Sequence, residues 1–216
     1  MKQYAIFGAS GCGRGVLPLA RQQLAPFEEP YQLVFVDDNP SSSEVNGHPV
    51  MKYGEWLSLP ATERFINIAI ANSVIREQLV RRCEKDGIKF FEVRAFNVVE
   101  MDSVVINEGA ILCPFVTMTS NIKIGKHFHA NLYSYVEHDC VIGDFVTFGP
   151  SVQCNGNVQI EDHVYVGAGA VIKHGQPGAP LVIGRGAVIG MGAIVTKNVP
   201  AGLTVVGNPA QPMIGK

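Results

Sequence analysis

From residue 106 onward an aliphatic or similar residue recurs at every sixth position. The row runs Ile106, Leu112, Met118, Ile124, Ala130, Val136, Ile142, Phe148, Cys154, Ile160, Val166 and Ile172. It slips once, across KHGQPGAPLV at 173–182, and resumes at Ile183, Ile189 and Val195. Four residues after these positions comes a second row of small or β-branched residues, including Ala110, Val152, Val158, Val164, Ala170, Ala187 and Ala193. An α-helix repeats every ~3.6 residues and a strand every ~2, so neither produces this spacing. A triangular solenoid does. Each hexapeptide makes one side, three sides make a coil, and the first row points inward and stacks on itself. Glycine often follows that row, as in Ile124-Gly125, Ile142-Gly143, Val166-Gly167, Ile183-Gly184 and Ile189-Gly190. Glycine and asparagine are expected to serve the corners, where unusual backbone angles are needed. An ordinary β-sandwich would have to keep this phase by accident.

The first half follows a different grammar. Tyr4 to Phe7 reads as a strand, followed by a glycine-rich turn from Gly8 to Gly15 and a helix from Val16 to Leu24. Gln32 to Val36 is a second strand that ends in Asp37-Asp38, and Phe65 to Ala71 is a third. Asn72 can cap a helix from Val74 to about Lys85, and Phe90 to Val93 is a fourth strand. This order predicts a small parallel, Rossmann-like α/β sheet over residues 1–95, with the β-helix occupying 96–216. Ligands in such sheets sit beyond the carboxyl ends of the strands, where Gly8–Gly15 and Asp37-Asp38 both fall.

Hydrophobic residues are 47% of the chain and charged residues 17%, enough for two cores and against long disorder. A formal net charge of -2 argues against a nucleic-acid binder. The apolar run at the N-terminus is too short for a signal-peptide core or a membrane span. Cys12, Cys83, Cys113, Cys140 and Cys154 form no C-x-x-C pair, which suits free thiols and a cytoplasmic location. No histidine pair has metal-ligand spacing with a third ligand, so no metal site is expected.

Among candidate catalytic residues, His138 stands out. It lies two positions after inward Val136, near a corner, between Glu137 and Asp139. A carboxylate beside an imidazole fixes its tautomer and stabilises the imidazolium, so such a histidine can take a proton from an amine or hydroxyl. A solvated corner histidine is the competing reading. His127, His129, His163 and His174 are expected at the surface, and His48 in a turn. The front spacing Gly8-x-x-Gly11-x-Gly13 followed by Asp also fits a dinucleotide site, although it is not G-x-G-x-x-G.

GASGCGRGV at 8–16, DD at 37–38, AIANSVIR at 69–76, VEHDCVIGDF at 136–145 and GNPA at 207–210 resemble the hexapeptide-repeat sugar acetyltransferases. That family includes the sialic acid O-acetyltransferases. Within it, the segments are most similar to the UDP-4-amino-sugar N-acetyltransferases of the bacillosamine pathway. Cys12 stands where the family's glycine loop often has histidine, and Val146 and Thr147 occupy a stretch where a second histidine often follows.

The resemblance implies a left-handed parallel β-helix, a homotrimer, and acetyl-CoA as cosubstrate with no tightly bound cofactor. It places the general base at His138 and its orienting acid at Asp139. Ser10, Gly11, Cys12 and Gly13 would cradle the phosphates of a UDP-sugar. Asp37 and Asp38 would contact the uridine, with Asn72 and Arg76 as further candidates, Arg76 fitting a solvated helix position as well, and Asn131 would touch the sugar. The Gly156 N–H would face the thioester carbonyl, and Ala168, Gly190 and Met191 would line the pantetheine channel.

Three alternatives stay open at this point. They are sugar O-acetylation, a non-catalytic nucleotide-binding β-helix scaffold, and an NAD-linked oxidoreductase, for which the sequence offers no catalytic residue set.

Overall fold

A computed structural model describes residues 1–213. The chain divides into two compact units, Met1–Ala95 and Phe96–Lys216.

The first unit is built on β1 (Lys2–Phe7), α1 (Gly11–Leu24), β2 (Tyr31–Val36), β3 (Glu44–Val45), β4 (His48–Met51), α2 (Tyr53–Ser58), β5 (Arg64–Ile68), α3 (Ser73–Lys85) and β6 (Lys89–Phe90). Its sheet runs β3-β4-β2-β1-β5-β6, parallel except for the β3–β4 hairpin. Central strand β1 is almost wholly buried, as its run of apolar residues requires when both faces are covered.

Two parts of the first unit depart from the sequence reading. Most of the glycine-rich turn is helix, because α1 begins at Gly11 rather than Val16. The stretch from 44 to 58, left without elements, holds a hairpin and a short helix. Asn46 and Gly47 take φ of 51° and 77°, the geometry of a tight hairpin turn, and α2 buries Tyr53 and Trp56. His48 therefore opens strand β4 and follows the turn.

The second unit is a three-sided parallel β-helix. One face stacks Ile111–Leu112, His129–Ala130, Thr147–Phe148, Tyr165–Val166, Val188–Ile189 and Thr204–Val206. The second stacks Val99–Glu100, Thr117–Met118, Tyr135–Val136, Gln153–Cys154, Val171–Ile172 and Ile194–Val195. The third stacks Val104–Ile106, Ile122–Ile124, Val141–Ile142, Val158–Ile160 and Leu181–Ile183. Val136 pairs with Cys154, Ile142 with Ile160 and Phe148 with Val166, so the inward row does stack on itself. From Leu112 to Val195 every member of that row is buried. The phase slip is absorbed outside the ladder: the chain leaves after Ile172, loops through residues 173–180, and rejoins with Ile183 opposite Ile160.

The corners follow the expectation only in part. Left-handed backbone falls three residues after most inward positions: glycine or asparagine takes it at Gly109, Asn121, Asn157, Gly169, Gly186 and Gly192, but Phe115, His127, Tyr133, Asp139, Phe145, Ser151 and His163 take it as well, as does Ser103. Most of these are neither glycine nor asparagine, and each L-residue there is disfavoured by roughly 1–2 kcal/mol. The stacked coil compensates. The corner N–H reaches a carbonyl of the coil below, as in Asp139 to Ser120 (3.1 Å), Phe145 to Lys126 (2.8 Å) and Asn157 to His138 (2.9 Å). The glycines after the inward row have another reason to be glycine. A Cβ on Gly125 would lie 2.5 Å from the Gly143 carbonyl carbon, and one on Gly184 2.5 Å from the Ala201 nitrogen. Close packing of coils, not torsion, selects them.

Two histidines expected at the surface are buried. His127 lies beside Gly109, whose missing side chain leaves room for the ring, and stacks on Phe145 (5.3 Å), which in turn stacks on His163 (5.2 Å). His163 is thereby half-buried. His129 pairs in register between Ile111 and Thr147, both buried as well.

Candidate active site

At the carboxyl ends of β1 and β2 the sequence candidates come together. Gly8 carries φ of 106°, and a Cβ on it would lie 2.8 Å from Ile70 Cδ1 and 3.2 Å from the Ala69 carbonyl oxygen. A Cβ on Gly13 would run into the Gly8 carbonyl oxygen, so Gly13 is what lets α1 press against the end of β1. Ser10 caps α1 without a side-chain hydrogen bond, and Ser10, Gly11 and Cys12 are exposed. The first bond of the helix runs from Arg14 N–H to the Ser10 carbonyl (2.9 Å), leaving the N–H groups of the first turn facing outward. Such a helix start attracts anionic oxygens.

Asp37 secures this turn. Its Oδ2 accepts the Ala9 N–H (3.1 Å) and its Oδ1 the Asn39 N–H (3.0 Å). Asp38 is held by Arg82 (2.6 Å), whose guanidinium lies 4.1 Å from the Tyr53 ring centre. Asn72 caps α3, its Oδ1 accepting from Val74 and Ile75 (3.1 Å each). Arg76 is not solvated. It is fully buried, and its Nη1 donates to the carbonyls of Ile70 (2.6 Å) and Ala71 (3.2 Å) at the end of β5. Burial pushes its guanidinium down to about 9.

The second cluster lies in the β-helix, at the corner between the second and third faces. His138 Nδ1 stands 2.8 Å from Asp139 Oδ2, with the two side chains 54% and 48% exposed. That hydrogen bond raises the His138 pKa above its ordinary value. Asp139 is itself a left-handed corner residue (φ 59°), which turns its carboxylate back beside the preceding ring. One coil further on, Gly156 abuts the imidazole: a Cβ there would lie 2.5 Å from His138 Cε1 and 2.6 Å from Nε2. Its carbonyl accepts from Gly175 (2.9 Å), and among the described residues no acceptor takes its N–H.

Residues 3–83 match the PglD N-terminal domain family, and residues 139–174 match the bacterial transferase hexapeptide family (six repeats). The chain is 49% identical over 214 residues to GDP-perosamine N-acetyltransferase from Escherichia coli O157:H7, covering 99% of this chain and 97% of that one. This chain belongs to the hexapeptide-repeat sugar acetyltransferases.

Two solved structures extend the likeness. WeeI from Acinetobacter baumannii AYE superposes with a TM-score of 0.95 at 56% identity, over 99% of this chain and 100% of that one. The acetyltransferase domain of PglB from Neisseria gonorrhoeae FA1090, in complex with acetyl coenzyme A, gives 0.85 at 28% identity over 98% of each chain. The β-helix of this sugar acetyltransferase is accordingly left-handed, and the protein is an enzyme that transfers acetyl groups.

Several predicted residues of this acetyltransferase stand apart from His138 within one chain. Ala168, Gly190 and Met191 stack at the corner between the first and second faces, where Gly192 N–H meets the Ala168 carbonyl (2.8 Å) and Met191 is 80% exposed. Asn131 belongs to that same corner, its Oδ1 accepting the Leu132 N–H (2.8 Å). The strand Tyr135–Val136 separates Asn131 from His138. Among the described residues no group of three or more His, Cys, Asp or Glu could hold a metal ion, and no helix is long and apolar enough to cross a membrane.

Proposed function

We propose that this chain moves the acetyl group of acetyl-CoA onto the amine of a nucleotide-linked 4-amino-4-deoxy sugar, with His138 as general base. The observation that carries this reading is the His138–Asp139 pair on an exposed corner. With Nδ1–H donated to Asp139, the Nε2 lone pair is left to accept a proton. The neutral amine nitrogen attacks the thioester carbonyl carbon, forming the C–N bond as His138 Nε2 takes the amine proton. The negative oxygen of the tetrahedral intermediate is held by the Gly156 N–H. Collapse breaks the C–S bond and releases the CoA thiolate, which takes the amine proton from His138 Nε2 and restores the neutral base. No acyl-enzyme is needed. Acetyl-CoA as donor is supported by the PglB complex, and an amine acceptor by the GDP-perosamine enzyme.

The diphosphate is assigned to the α1 N-terminus at Ser10, Gly11, Cys12 and Gly13. Asp37 and Asp38 are placed next to the base, with Asn72 at the rim. Both carboxylates already hold protein groups, so they act here as a shaped wall as well as contacts. We take the base as uridine from the likeness of these segments to the bacillosamine enzymes. The identity to a GDP-sugar enzyme favours guanosine as a second reading.

Thiol release from acetyl-CoA, measured against UDP- and GDP-linked amino sugars and their hydroxyl counterparts, tests both. Turnover is expected with amines alone. Equal turnover of the hydroxyl sugars would defeat N-acetylation, and turnover restricted to GDP sugars would replace uridine.

A homotrimer is part of this proposal. Ala168, Gly190, Met191 and Asn131 lie at a different corner from His138 and Gly156, and closed three-fold packing would set one copy's corner against its neighbour's. Sedimentation is expected to show three chains, and a monomer at micromolar concentration would refute the shared site.

A further inference from the structure

Two buried thiols, Cys140 and Cys154, have no part in the chemistry above. Both are fully buried on adjacent coils. Both lie near one acceptor, the carbonyl oxygen of Asn155: Cys140 Sγ at 3.3 Å, nearer than its other acceptor, the His138 carbonyl oxygen at 3.7 Å, and Cys154 Sγ at 3.8 Å. The Cys140 sulfur is anchored in turn, accepting the Val158 N–H at 3.4 Å. That Asn155 carbonyl belongs to the same peptide unit as the Gly156 N–H. A trans peptide is planar and its C=O and N–H point in opposite directions. Drawing the carbonyl toward the core thiols therefore turns the Gly156 N–H away from the core, and the His138 ring stands against this same residue.

The rest of Asn155 is tied as firmly. Its Oδ1 accepts the Tyr135 hydroxyl (3.1 Å), and its Nδ2 and backbone N–H both donate to the Ile172 carbonyl (2.7 and 3.2 Å). These contacts fix Asn155 itself, and the bonds from Gly175 to the Gly156 carbonyl and from Asn157 to His138 fix the peptide after Gly156, but none of them grips the Asn155 carbonyl. The thiols supply the missing constraint.

We propose that Cys140 and Cys154 are positioning residues that clamp the Asn155–Gly156 peptide so that its N–H is aimed at the reacting carbonyl. The proposal rests on the reading of Gly156 as the oxyanion donor. Thiols are weak donors, but a peptide flip here would replace a donor with an acceptor at the developing charge. The thiols also withstand the setting: they fill apolar space in the inward rows, where a stronger polar group left unpaired would destabilise the coil.

The test uses the full-length protein with Cys140→Ala, Cys140→Ser and Cys154→Val, following kcat, both KM values, the melting temperature and hydrogen exchange at the Gly156 amide. Cys140→Ala is expected to lower kcat about 10- to 100-fold, the scale of a misplaced catalytic group. Both KM values should hold within about two-fold and the Gly156 amide should exchange faster. Cys140→Ser keeps a donor and should recover most of the rate, which a purely packing role would not allow. Cys154→Val, close in shape, should give a smaller loss of the same kind. Unchanged kcat together with unchanged exchange in Cys140→Ala would overturn the clamp. Faster exchange with unchanged kcat would uphold the clamp and remove Gly156 from the oxyanion site instead.

Discussion

His138→Ala is expected to lower kcat by about 10²–10⁴ while changing acetyl-CoA affinity little, because the ring acts on the proton of the acceptor. Half of the side chain is exposed and it contributes nothing to the inward rows, so the melting curve should barely move. Asp139→Asn should lose less, since the base survives with a poorer partner. It should also leave a signature in pH. A general base works in its neutral form, so the rate rises with pH as His138 gives up its proton. Asp139 favours the protonated ring, which sets that limb above the ordinary histidine range. Without the carboxylate charge the limb should move to lower pH while the plateau falls. A solvated or structural histidine would behave otherwise, with lower thermal stability and near-normal turnover of the folded fraction. Steady-state kinetics across pH beside thermal melts separate the two. A His138→Ala enzyme within a few-fold of the parent would leave only the fold.

What the sequence made legible was whatever repeats or sits next to its cause. The inward row shows because every sixth residue meets the same environment, and the whole ladder, including the slip at 173–182, follows from it. His138 shows because its orienting carboxylate is the next residue. The corners do not show. Tyr133 and Phe145 are poor choices for left-handed backbone, and what holds them there is a hydrogen bond to the coil below, a contact without local signature.

The same distance hid His127, whose burial depends on Gly109 and Phe145, and Arg76, which turns in toward carbonyls of the preceding loop. The hairpin at 44–51 was open to recognition, since Asn46-Gly47 is a strong turn pair, but its strands are too short to carry a period. Cys140 and Cys154 could also have been paired from sequence. One sits in the second inward row and the other in the first, one coil on, so their side chains had to meet the same stretch of core.

Gly156→Ala is the second large effect expected, and it isolates geometry from chemistry. Gly156 is not one of the left-handed residues, so alanine brings no torsional strain there. It keeps its N–H, so the donor survives. What changes is one methyl group, placed 2.5 Å from His138 Cε1, 2.6 Å from Nε2 and 3.0 Å from Nδ1. No imidazole tolerates that, but this one is half exposed and can swing outward. The coil therefore keeps its packing, and the melting temperature should stay close to that of the parent. The swing breaks the 2.8 Å bond to Asp139 and carries Nε2 away from the acceptor amine. A displacement of this size is expected to lower kcat by about 10²-fold. The acid limb of the pH profile should drop toward the ordinary histidine range, as with Asp139→Asn, because the ring has lost the same partner. The decisive comparison is the double variant. If the methyl acts only by displacing the ring, His138→Ala with Gly156→Ala should be no slower than His138→Ala alone, since the group being displaced is gone. A further fall of ten-fold or more in the double variant would show Gly156 acting independently of His138. A Gly156→Ala enzyme with parental kcat and an unmoved pH limb would mean that the ring's place against this glycine has no part in catalysis.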